Sequence, residues 1–298
     1  MNSFTISQLE DFSGIKAHTI RMWEQRYNAL YPQRSPGNTR HYNGLQLKRL
    51  LNIASLMNSE YKVSELCIMS DEDLHKIIQD RLNKDRIEDR SAEYFILQLV
   101  TAGIAYDEPY FDKIFASCHL RFGVKDTYIK VIYPLLVRIG QMWASDSISL
   151  SQEHFITNII RQKLFSVIDA LPPARSSDDS WVLFLPENEF HEMGLLLSHY
   201  IIRNAGKKVI YLGSNIPGET LSETIKDLSP ANILTFMVHY KKPEDSQKYL
   251  DFLSKSFTHS KIHISGNEKL ISNLKPGKKI NWIRSVDDLE KQLLKYIS

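Results

Sequence analysis

The spacing of apolar residues changes character twice along this 298-residue chain. In the first stretch, to about residue 77, it is helical and often interrupted. Ile6, Leu9 and Phe12 lie three apart, one face of a short helix. Ser13-Gly14 breaks that helix, and Ile20, Trp23 and Tyr27 give the apolar face of a second one over roughly 18–27. Two helices joined through a Gly-containing turn are a helix-turn-helix candidate. A Pro-, Gly- and Asn-rich segment follows over 32–42. Helical periodicity resumes at Leu45, Leu47, Leu50, Leu51 and Ile53 and fades near Asn58. Further helices are predicted over 63–69 and 71–80, the latter with Ser70 as its cap.

Residues 80–90 are charged and nearly devoid of apolar side chains, which fits a linker or a solvated helix face. From 91 to 170 the pattern is helical almost throughout. Tyr94, Leu97, Ala105, Tyr110, Ile114, Phe115, Ile132, Leu136, Ile139, Phe155, Ile159 and Ile160 supply the stripes, and Pro109 and Pro134 sit where helices can begin. This predicts a four-helix bundle. Residues 172–179 read as a linker. Beyond it the period changes again. Short continuous apolar runs at 181–186, 208–213, 233–238, 261–265 and 280–283 alternate with helical stretches. That alternation predicts a parallel sheet covered on both faces, a flavodoxin-like (Rossmann-like) α/β domain whose ligands bind at the carboxyl ends of the strands. The expected fold is therefore multidomain, α and α/β, with parts near 1–77, 90–170 and 180–298.

Composition adds exclusions. With 43% apolar and 24% charged residues, the chain is neither disordered nor fibrous. Cys67 and Cys118 are too few and too far apart for a thiolate metal site. No signal peptide or membrane-spanning run is visible, and the cytoplasm is the expected setting, with no membrane partner. The net charge of +2 hides an asymmetry. Residues 1–50 carry seven Lys/Arg against three acids, a local +4, while the other 248 residues carry 30 against 32, or −2. A basic head on a neutral body suits a polyanionic partner.

Over about residues 3–75 the chain resembles the MerR family of transcription regulators. The resemblance rests on Phe4-Thr5-Ile6, Gly14-Ile15, Thr19-Ile20-Arg21-Met22-Trp23-Glu24, Arg26-Tyr27, Pro32, Arg34 and Asn38-Thr39-Arg40-His41-Tyr42. It implies a winged helix-turn-helix that binds double-stranded DNA. His18, Thr19 and Arg21 lie opposite Ile20 and Trp23, where a recognition helix needs polar groups for base edges and phosphates. The implied wing carries Arg34, Asn38, Thr39, Arg40 and Tyr42 beside the groove. Thr5, Lys16 and Arg26 complete the expected DNA-contacting set. A simpler role is open to Glu24, pairing with an arginine of the wing, and to Arg26, orienting that wing. The family binds two-fold operators, so a homo-oligomer (dimer or tetramer) is implied. No long heptad helix follows the head to supply an obvious seam.

Two motifs mark the body. Glu189-x-His191-x-x-Gly194 follows the first strand and resembles the motif of cobalamin-binding domains. There the histidine ligates cobalt from the lower face, the acid holds its other ring nitrogen, and the glycine lets the corrin or its tail approach. Trp143, nine further residues, then Glu153-His154 resembles the cap over the upper axial face. Together with the head they resemble the CarH/LitR type of MerR-family regulator. Cobalamin (adenosylcobalamin) is then the implied cofactor, with His191 as cobalt ligand and Trp143, Glu153, His154, Glu189, Gly194 and Gly266 around it. Three positions depart from the pattern. Thr235, Phe236 and Met237 stand where a serine is usual, Ser265-Gly266-Asn267 keeps one of two glycines, and Ala144 replaces a histidine after the cap tryptophan. His199, His239, His259 and His263 show no ligand spacing and are expected to be structural.

The expected function is a DNA-binding regulator with a ligand-sensing body, not an enzyme. In one version a corrinoid sets the oligomeric state. In another the pocket has lost its cofactor and serves oligomerisation or a protein partner such as a small antirepressor. The competing class, a corrinoid-carrying enzyme subunit, has no use for a basic winged head. No nucleophile–base pair or carboxylate dyad suggests independent catalysis.

Overall fold

A computed structural model describes residues 3–57, 60–83, 91–174, 176–238, 243–275, 277 and 279–294. The chain divides into two compact units, residues 1–160 and 161–298.

The first unit opens with β1 (Ser3–Phe4) and α1 (Ile6–Ser13). Thr5 and Gln8 form a capping box, in which Gln8 N–H donates to the Thr5 hydroxyl and Thr5 N–H to Gln8 Oε1. Gly14, at φ 70°, ends α1 in the left-handed conformation that a side chain disfavours. After that turn α2 (Ala17–Tyr27) buries Ile20 and Trp23 and leaves His18, Arg21, Met22, Gln25 and Arg26 exposed. β2 (Gln33–Arg34) and β3 (Arg40–Asn43) are antiparallel, and β1 joins the other edge of β3. Asn43 caps α3 (Gly44–Leu56), which is followed by α4 (Val63–Ile68) and α5 (Asp71–Asn83). The Ser70 hydroxyl accepts Asp73 N–H at 3.0 Å, the expected cap. α5 runs to Asn83, past the start of the expected linker; residues 84–90 lie outside the described ones.

Four helices follow: α6 (Ala92–Ile104), α7 (Glu108–Thr127), α8 (Tyr133–Ala144) and α9 (Leu150–Asp169). Pro109 sits in the first turn of α7, where its missing N–H costs nothing. Pro134 likewise sits in the first turn of α8, although no break precedes it. A π turn (Tyr128–Ile132) feeds straight into α8, its wider ring closed by Tyr133 N–H on Tyr128 O. Gly123, at φ 71° and ψ 173°, kinks α7. Ala105 departs from the expectation: it is the exposed residue that ends α6, not part of a buried stripe. Gly103 is bare because Ile156 of α9 occupies the place of a side chain. Head and bundle lock through buried polar bonds. Gln98 of α6 donates to Ser55 Oγ of α3 at 2.8 Å and accepts from Tyr110 OH at 2.7 Å. Arg138 of α8 pairs with Glu93 through two bonds and reaches Phe12 O of α1.

The second unit is a five-stranded parallel sheet in the order β5-β4-β6-β7-β8. Its strands are β4 (Ser176–Pro186), β5 (Lys207–Ile216), β6 (Asn232–Met237), β7 (Lys261–Gly266) and β8 (Ile280–Trp282). Between and after them run α10 (Met193–Asn204), α11 (Gly218–Leu228), α12 (Pro243–Ser256), α13 (Glu268–Ile271) and α14 (Val286–Leu294). Trp181 to Leu185 are wholly buried, as a strand covered on both faces requires. β4 starts at Ser176, inside the expected linker. Asp179 is tolerated in a strand because its neighbours satisfy it: Asn232 donates at 2.6 Å and Lys207 pairs at 2.7 Å. This strand order puts the switch point between β4 and β6, outside whose carboxyl ends sheets of this kind bind ligands.

Candidate functional site

The exposed face of α2 presents His18 and Arg21, with Thr19 half-buried beside them. The wing places Arg34 and Asn38 together, Arg34 Nη1 donating to Asn38 Oδ1 at 2.6 Å. Asn38 takes φ 62° in a turn closed by Asn38 N–H on Ser35 O and Ser35 N–H on Thr39 O. Lys16 is exposed and pairs with Glu10 at 2.9 Å. Arg26 is exposed on the last turn of α2.

Three of the expected DNA-contacting residues have other work. Thr5 is the cap of α1. Tyr42 is 1% exposed, and its hydroxyl donates to Glu24 Oε2 at 2.9 Å. Burial and the Glu24 carboxylate both push the Tyr42 hydroxyl above its ordinary range. Arg40 Nε donates to the other Glu24 oxygen at 2.9 Å. Glu24 thus draws one arginine and one tyrosine of β3 onto α2, and Tyr42 in particular offers DNA no surface. The wing arginine that pairs with Glu24 is Arg40. Arg49 was legible only as a basic residue. It ties α3 to the segment after α2 and to the junction of α4 and α5, donating to Ala29 O, Cys67 O and Met69 O and pairing with Asp71 at 2.6 Å. Its signal was an arginine set among Leu47, Leu50 and Leu51 on α3.

In the bundle, Trp143 occupies the last turn of α8 and is half exposed, so it is not core. A turn fastened by Asp146 N–H on Trp143 O and Ser147 N–H on Met142 O leads into α9. Glu153 and His154 stand in the first turn of α9, with His154 Nδ1 2.7 Å from Glu153 Oε2. The tryptophan and the Glu-His pair therefore flank one corner of the bundle.

The loop after β4 is organised by Glu189, which is 1% exposed. Its Oε1 accepts Phe190 N–H and His191 N–H at 3.0 and 3.1 Å and lies 2.6 Å from His191 Nδ1. Its Oε2 accepts Val238 N–H at 3.0 Å, just past the end of β6. The carboxylate only accepts, so Nδ1 carries the proton between them, and in the neutral ring the lone pair is left on Nε2. The His191 side chain is 60% exposed, so that donor nitrogen belongs to an outward ring. This is the chemistry of a single-histidine metal ligand with its tautomer fixed. Glu192, which the sequence left unmarked, accepts from Tyr211 OH at 2.7 Å and pairs with Arg161. It ties the loop to β5 and α9.

The two glycines expected to admit a cofactor serve the chain's own packing instead. A Cβ on Gly194 would lie 2.5 Å from the Phe236 ring. Gly266, at φ 130°, is pressed against the Met237 backbone. The loop therefore fits a cobalt ion held from one side by His191, while the space behind Gly194 is filled. Among the other histidines, His199 and His263 are buried. His199 stacks on Tyr211 at 5.0 Å and His263 on Trp181 at 4.8 Å. Burial lowers both to about 4. His259 is exposed, and His239 lies outside the described residues.

Residues 4–71 match the MerR HTH family regulatory protein family, and residues 96–167 match the B12 binding domain. Two Myxococcus xanthus proteins, the HTH-type transcriptional repressors CarH and CarA, are each 26% identical to this chain over 83% of it. The match spans 83% and 80% of their own lengths. Among solved structures, the monomethylamine corrinoid protein of Methanosarcina barkeri superposes with a TM-score of 0.53 at 14% identity. That match covers 68% of this chain and 96% of the other, and it shows a shared fold. No helix among the described residues is long and apolar enough to cross a membrane.

Proposed function

We propose that this chain, a MerR-family regulator with a cobalamin-binding domain, binds operator DNA as a homo-oligomer and adjusts that binding to a corrinoid held by its body. The observation that carries the ligand reading is the Glu189–His191 pair, 2.6 Å apart, at the carboxyl end of β4.

The three parts take separate tasks: residues 1–77 read DNA, 90–170 cap the ligand and 180–298 hold it. His18, Thr19 and Arg21 face base edges, while Lys16, Arg26, Arg34, Asn38 and Thr39 reach phosphates and sugars. Arg40 and Tyr42 set the wing angle through Glu24. One head covers one half-site, so a two-fold operator calls for two chains. When bound, a corrin would supply a cobalt ion able to accept a protein nitrogen donor. His191 offers Nε2 to it, and Glu189 keeps the Nδ1 proton that makes Nε2 basic. By the resemblance of the cap motif, Trp143, Glu153 and His154 of the bundle would serve as the cap residues. Adenosylcobalamin is the form that the same resemblance implies for the upper group. A ligand that prefers one assembly shifts the population toward it, and DNA affinity follows.

The test is the visible spectrum of the full chain after dark incubation with adenosylcobalamin and removal of free corrinoid. Retained corrinoid that is lost in His191→Ala supports the reading. Wild-type protein that elutes colourless contradicts it.

A further inference from the structure

We infer that this domain takes corrinoids without seating their nucleotide tail, and that Phe236 sets this preference. The inference rests on the reading of His191 as the cobalt ligand.

In a complete cobalamin the lower axial position belongs to a benzimidazole base on a nucleotide tail. A histidine that takes that position displaces the base, which must leave on the histidine's side of the corrin. It then either enters the protein or stays in solvent. Three residues on from His191, in the first turn of α10, stands a residue without a side chain, Gly194. That place is taken. A Cβ there would stand 2.5, 3.0 and 3.2 Å from Phe236 Cε1, Cδ1 and Cζ. A bicyclic base is larger than the phenyl ring, and the two cannot share the space.

The backbone that carries Phe236 is held on several sides. Thr235 and Met237 are wholly buried, so the strand cannot roll without exposing them. Glu189 Oε2 holds Val238 N–H, and Gly266 presses on the Met237 backbone. Opening a slot therefore requires the ring itself to swing out and give up its contact with α10.

A tail-free corrinoid loses nothing in such a site and has no base of its own to displace. Selectivity is the difference between the two affinities, and it favours the smaller ligand. The experiment is equilibrium dialysis of the full chain in the dark against aquocobinamide and aquocobalamin. The expected result is cobinamide bound about tenfold or more tightly, a gap of roughly 1.4 kcal/mol. Phe236→Ala should narrow that ratio several-fold, and because the ratio is taken within one variant, a general loss of stability does not imitate it. Cobalamin bound as tightly as cobinamide, or more so, overturns the inference and leaves the His191 reading intact. A preference that survives Phe236→Ala overturns the part given to Phe236. Failure of wild type to bind either corrinoid overturns both.

Discussion

The wing and the loop after β4 are each organised by one carboxylate, with opposite results. Glu24 draws Arg40 and Tyr42 onto α2 and takes the tyrosine out of contact with anything outside. Glu189 is itself buried, spends its lone pairs on three backbone N–H groups, and leaves the His191 ring exposed. A carboxylate beside a polar residue can thus withdraw that residue or present it. What decides is which partner is buried. Where the flagged residue goes inside, as Tyr42 does, its task is to position neighbours. Where the acid goes inside, as Glu189 does, its partner's ring stays exposed.

Acid should separate the two regions most strongly. His199 and His263 are neutral in the folded second unit, with values lowered from 6.5 to about 4 by burial. The unfolded chain binds more protons below pH 6.5, so their contribution is complete above that pH and is lost as pH falls toward 4. Each is worth about 3 kcal/mol over that window. Hydrogen exchange followed by mass spectrometry should show residues 181–186 losing protection before residues 47–56. Equal loss in both would remove the distinction.

Glu189→Ala comes next. It strands three backbone donors and should cost the second unit about 3 kcal/mol, read as a lower denaturation midpoint. Glu24→Ala strands the buried Tyr42 hydroxyl and frees a more exposed arginine, so about 2 kcal/mol is expected. If Glu24→Ala proved the more damaging, the contrast in burial would not be what matters.

The third effect is on DNA. Arg21→Ala should weaken operator binding by about 1–3 kcal/mol, roughly five- to 150-fold. Tyr42→Phe removes one hydrogen bond and should cost about 1 kcal/mol of stability and only a few-fold in affinity. Gel shifts on a selected operator would compare them. A loss for Tyr42→Phe as large as for Arg21→Ala would return the tyrosine to the contact surface.

Much of the fold was legible because it depends on local spacing. The 3.6-residue period of Ile20 and Trp23, and the unbroken run from Trp181 to Leu185, report burial directly. The early start of β4 was not legible, since Asp179 depends on Lys207 and Asn232, far along the chain. The π turn before Pro134 was hidden for a different reason, because apolar spacing does not register one residue added to a turn. In the site, Glu189-x-His191 was legible because acid and histidine sit two residues apart. The withdrawal of Arg40 and Tyr42 spans 16 and 18 residues and depends on how a hairpin folds back on a helix. The filled space behind Gly194 joins positions on α10 and β6, and spacing says nothing of it.

The most direct measurement is operator affinity of the full chain with and without adenosylcobalamin in the dark, for wild type and His191→Ala side by side. The account predicts a change of about fivefold or more in wild type, within the range of ordinary coupling energies, and none in the variant. Identical affinities with and without the corrinoid in wild type would contradict it.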